Sequence, residues 1–142
     1  AIPVPAPAPT KPSTFFQRTY FTLLVVHFVL GLLSHYAFRM PGFFLLGLVM
    51  RTVFWVGLIV ALLALYEQGR KVSGALRLCV VLPLGWSLLY FAASRVIVWR
   101  MRQVGPEAEV FQLAQVLEIC GFISMTIHLG CAGLGFNLLR RR

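Results

Sequence analysis

The chain consists of four long apolar runs separated by short polar breaks, at about residues 20–38, 43–66, 78–99 and 110–139. A helix needs about 20 apolar residues to cross the hydrocarbon core of a bilayer, and each run comes up to that length. None alternates polar and apolar positions in segments of about ten residues, as barrel strands do. Lipid offers no water to backbone N–H and C=O groups, so uninterrupted runs must close their hydrogen bonds within the segment and be helical. The pattern predicts an all-α integral membrane protein with four transmembrane helices in an up-down bundle with short loops. The helices are expected at about 14–38, 43–66, 76–99 and 106–139, forming one domain over 14–142.

The breaks carry their own signals. Arg39-Met40-Pro41-Gly42 predicts a tight hairpin, because the position before proline disfavours helix and glycine frees the turn. Residues 67–74, with two glycines and three charges, make the second connection. Thr14 and Gln17 have the spacing of a capping box for the first helix. Pro83 falls inside the third run and is expected to kink it rather than end it. Pro106, Glu107 and Glu109 suit a helix start near Gly105. From there to Leu139 is about 50 Å of helix, so the long fourth helix is expected to protrude from the bilayer by two to three amphipathic turns. Residues 1–13 form a proline-rich extended arm, with five of the eight prolines among the first twelve residues.

Composition agrees with the pattern. The chain is 59% hydrophobic and 12% charged, against about 25% charged in ordinary soluble domains, and its mean hydropathy is +0.84. The net charge of +9 invites a nucleic-acid reading, but the basic residues cluster at the ends of apolar runs, where they act as topology signals. With four spans both termini share a side. That side gathers Lys11, Arg18, Arg70, Lys71, Arg77, Arg140, Arg141 and Arg142 against Glu67 alone. The positive-inside bias therefore places both termini on the cytoplasmic or matrix side, in a mitochondrial or bacterial inner membrane. Cys79, Cys120 and Cys131 lie in apolar runs without a CxxC pair and read as small apolar fillers. Many of the aromatic residues, including Phe15, Phe16, Tyr20, Tyr66 and Trp99, stand near run ends as interfacial anchors.

Candidate chemistry starts with His27 and His128. In the fourth run Gly121, Ser124, His128, Cys131 and Gly135 recur at spacings of three, four, three and four, which puts them on one helix face. Small faces of this kind let helices approach closely in lipid. His27, Gly31 and Ser34 repeat the theme in the first run. Two imidazoles at similar depth, each beside glycine, suit a haem b held between them. The same residues suit structural glue, each ring bonding a serine or carbonyl on a neighbouring helix for about 0.6 kcal/mol. The glue reading is preferred, since haem-attachment motifs are missing. His35 lies about 12 Å along the axis from His27 and stands apart from that site.

A second group, Arg51, Arg95 and Glu118, lies a few residues inside the opposite boundary. Charges at that depth need pairing or access to water, so Glu118 is expected to pair with Arg95 or Arg51, and the arginines to grip anionic phospholipid. No catalytic set or metal site emerges: there is no HExxH, no DxD, no phosphate-cradling loop and no base beside a nucleophile. Together these features point to a non-catalytic accessory subunit of a larger membrane complex, respiratory or otherwise energy-converting. It is expected to be held by helix packing and lipid, with other membrane subunits as partners and no required cofactor. The alternatives are a haem b- or quinone-binding anchor subunit of an oxidoreductase, and a small transporter.

Overall fold

The computed structural model describes residues 13–37, 43–69, 74–103 and 107–141. Among the described residues there are four helices and no strand: α1 (Phe15–Ala37), α2 (Phe43–Gln68), α3 (Gly74–Gln103) and α4 (Glu107–Arg140). Each contains a stretch long and apolar enough to cross a membrane, so the chain has the build of an integral membrane protein. The proline arm over 1–12, the hairpin at Arg39-Met40-Pro41-Gly42, the connection over 70–73 and the helix start at Gly105-Pro106 lie outside the described residues.

The helices outrun their apolar windows. α3 has 30 residues and α4 has 34, and α3 extends past the expected 76–99 at both ends. Lipid sets which residues must be apolar, but the backbone can stay helical beyond it. Arg100 and Arg102 in the last turn of α3 favour this by facing the negative end of the helix dipole. Pro83 does not end α3. The Tyr20 hydroxyl donates to the Val80 carbonyl at 3.3 Å, in the turn that Pro83 deprives of an N–H donor.

α1 starts differently from the expected capping box. Arg18 N–H donates to the Thr14 carbonyl at 3.0 Å, which makes Thr14 the cap residue. The Gln17 N–H, however, donates to a Glu67 carboxylate oxygen at 3.0 Å, and the Ser13 hydroxyl donates to the other at 2.7 Å. Glu67 is in the last turn of α2. A carboxylate is a stronger acceptor than a hydroxyl and suits the positive end of the α1 dipole, so a partner from another helix displaces the local one. α2 ends at Gly69, whose φ of 57° is the left-handed conformation that closes a helix and is open to glycine at little cost. Arg77 holds the Gly69 carbonyl at 2.6 Å.

α1 packs on α2 and on α4, α3 packs on α4, and α2 and α3 touch least of the packed pairs. Along α1 and α4 the residue numbers run in opposite directions. Phe21 lies against Gly135, His27 against His128, Gly31 against Met125, and His35 against Phe122. A Cβ at Gly135 would overlap the Phe21 ring, so the close approach depends on glycine there.

Buried side chains collect at one end. They are Gln17, Tyr20, Phe21 and Leu24 on α1, Ala61, Ala64 and Gln68 on α2, and Leu76, Cys79, Val80 and Pro83 on α3. α4 adds Ser124, His128, Cys131, Ala132 and Leu139. Among the described residues nothing is fully buried beyond Leu24 on α1, before Ala61 on α2, beyond Pro83 on α3 or before Ser124 on α4. One end is packed, while the other leaves space between the helices.

Candidate functional site

The boundary between packed and open ends is marked by His27 and His128. Their ring centroids are 4.9 Å apart and their planes are 24° from parallel. His128 is 3% exposed and both its nitrogens are engaged. Nδ1 contacts the Ser124 carbonyl and lies 3.3 Å from the Ser124 hydroxyl, while Nε2 is 3.0 Å from the Ser87 hydroxyl of α3. A carbonyl only accepts, so Nδ1 carries the proton and the neutral ring accepts from Ser87 at Nε2. The result is a Ser87–His128–Ser124 chain that ties α3 to α4.

This arrangement does not fit a haem between the two rings. An imidazole nitrogen binds a metal at about 2 Å, which puts the centroids of two axial ligands about 6 Å apart with each ring edge-on to the iron. The observed rings are closer, and the Nε2 lone pair that would reach iron is occupied by Ser87. Among the described residues no cluster of three or more His, Cys, Asp or Glu has the makings of a metal site.

His27 is placed differently. It makes no hydrogen bond among the described residues and lines the space on either side of it. A chamber of about 410 Å³ extends from His27 and Gly31 toward His35 and Glu118 between α1 and α4. A cleft of about 200 Å³ opens between α2 and α3, with His27 as its floor. Tyr90 and Met50 border both spaces. The cleft is walled by Phe54 and Phe91, which stack at 5.4 Å with planes 19° apart, and it carries Arg51, Ser87, Tyr90 and Ser94. Ser94 donates to the Phe91 carbonyl at 2.8 Å and Ser87 is held by His128. Arg51 and the Tyr90 hydroxyl, like His27, have no partner among the described residues. The Thr19, Thr22, Thr52 and Thr126 hydroxyls, by contrast, each donate to the carbonyl four residues back.

The expected charge group is rearranged. Glu118 stands 3.8 Å from His35 Nδ1, and neither Arg95 nor Arg51 reaches it among the described residues. Arg95 instead lies over the Phe91 ring, 5.2 Å from its centroid. His35 and Glu118 are about half exposed at 48% and 54%, so the contact is screened and adds little stability. Within the small-residue face, a Cβ at Gly31, Gly121 or Gly135 would meet Met125, the Tyr90 hydroxyl or Phe21. Cys131 is buried in the packed end, and Ser34 donates to its own helix at Gly31. Ser87, Tyr90 and Ser94 were not singled out from sequence. Their spacing of three and four along α3 is the signal that places them on one face.

No family model matches the chain, and comparison with curated proteins and with solved structures gives no match.

Proposed function

We propose that the chain is a non-catalytic subunit of a larger membrane assembly, of a respiratory or other energy-converting kind, in a mitochondrial or bacterial inner membrane. In this reading the four helices cross the bilayer up and down, both termini lie on the cytoplasmic or matrix side, and the first turns of α4 project beyond the lipid. The observation that carries it is the incomplete packing of α2. Among the described residues only Ala61, Ala64 and Gln68, all near its C-terminal end, are buried, and it meets α3 less than it meets α1. Gly47 on α2, with Gly130 and Gly133 on α4, faces open space with nothing within 4 Å. Small residues on transmembrane helices favour contact with another helix, and here that helix is supplied by a neighbouring subunit. Arg95 on α3 is exposed and supports the same reading through an acidic group of a neighbour or an anionic lipid.

The test is mild solubilisation of the native membrane, a native gel, and mass spectrometry of the band that contains this chain. The expected result is migration far above 15.9 kDa together with larger membrane proteins. A stable lone monomer under those conditions refutes the proposal.

A further inference from the structure

Three hydrogen-bond donors converge on the cleft between α2 and α3 without a protein partner among the described residues: the His27 imidazole, the Arg51 guanidinium and the Tyr90 hydroxyl. Polar groups within apolar helices are costly unless they are bonded, as the Thr19, Thr52 and Thr126 hydroxyls are to carbonyls of their own helices. Among the described residues no carboxylate lines the cleft. Its occupant must therefore supply acceptor oxygens and carry an apolar body that lies against the stacked Phe54 and Phe91 rings. The cleft is about 200 Å³ and shares His27, Met50 and Tyr90 as lining with the chamber of about 410 Å³, and the two together are of the size of small-molecule sites, about 300–1,000 Å³.

Depth selects among acceptor-bearing lipids. His27 lies about 18 Å from the start of α1 and about 15 Å from its end, so it is close to mid-span. A phosphodiester drawn that deep would bring its charge into hydrocarbon, whereas an uncharged ring with two carbonyls pays no such penalty. We propose that this cleft binds a lipid-soluble molecule of the quinone class. One ring carbonyl accepts from His27 at the floor, the other accepts from both Arg51 and Tyr90, and the hydrophobic tail leaves between α2 and α3. The proposal concerns binding alone. It rests on residues of this chain, so it stands or falls separately from membership in an assembly.

The test uses the purified full chain in lipid nanodiscs, titrated with a decyl-substituted dimethoxy-methyl-benzoquinone. Quenching of tryptophan fluorescence is the readout, since Trp55 lies against Phe91 with centroids 6.0 Å apart. Saturable quenching is expected. His27→Leu, Arg51→Gln and Tyr90→Phe should each weaken it by about tenfold, the loss of one good hydrogen bond to a desolvated partner, while Thr126→Val on the outer face of α4 should leave it unchanged. Tyr90→Phe removes only a hydroxyl and keeps the ring, so it remains informative if the other variants lose their fold by circular dichroism. Linear, unsaturable quenching, or equal quenching in wild type and Tyr90→Phe, overturns the proposal. So does displacement by an anionic phospholipid with no response to the quinone, which would make the cleft a headgroup site.

Discussion

The imidazole of His27 lies beside that of His128, ring centroids 4.9 Å apart, yet among the described residues only His128 is hydrogen-bonded, through Ser87 and Ser124. The pair divides the work: one ring fastens α3 to α4, and the other faces the open cleft.

That asymmetry predicts unequal effects on stability. His128→Leu strands the Ser87 hydroxyl inside the protein and should cost about 1–2 kcal/mol, in the upper range for hydrogen bonds between membrane helices. His27→Leu breaks no bond within the described residues and should change stability by roughly 0.5 kcal/mol or less. Equilibrium unfolding in mixed micelles measures both, and equal losses would contradict the division.

Gly135 and Gly133 form a second contrast. A methyl group at Gly135 runs into the Phe21 ring, while one at Gly133 meets nothing within 4 Å. Gly135→Ala should therefore destabilise the α1–α4 contact by about 1–3 kcal/mol. Gly133→Ala should be neutral or slightly stabilising, since alanine is the better helix former. Gly31→Ala falls between them, because it meets the flexible Met125 sulfur at 2.9 Å. Thermal unfolding of the three variants in one detergent should give that order, and any other order would mean that the α1–α4 register is wrong.

Glu67→Ala removes the carboxylate that receives the Gln17 N–H and the Ser13 hydroxyl. A lost cap costs about 0.5–2 kcal/mol. The loss should be local, with the amides in the first turn of α1 exchanging hydrogen faster while those in the middle of α4 hold. Uniform acceleration along the chain would show that Glu67 supports global stability rather than the start of α1.

The stacked histidines also bear on colour. The purified chain with added hemin should show no bis-histidine Soret spectrum, because Ser87 holds the His128 Nε2. Ser87→Ala frees that nitrogen but leaves the 4.9 Å spacing unchanged, so it should not restore binding. A Soret band that His27→Ala and His128→Ala each abolish would show that the helices separate to admit a haem.

Four helices and their number of spans were legible in the residues themselves, because lipid allows an apolar run only one way to satisfy its backbone. The small face of α4 was legible as well, since a spacing of three and four lies on one side of a helix whatever it packs against. What those faces meet depended on the tertiary structure. Residues 13 and 67 share no local pattern, yet Glu67 caps α1. Glu118 has two arginines among its candidate partners and stands instead beside His35. The similar depths of His27 and His128 follow from helical rise, but their ring spacing and the capture of Nε2 by Ser87 depend on how α1, α3 and α4 are rotated. That rotation is decided by packing of side chains far apart in sequence, such as Phe21 into the gap at Gly135. Local periodicity carries no term for it.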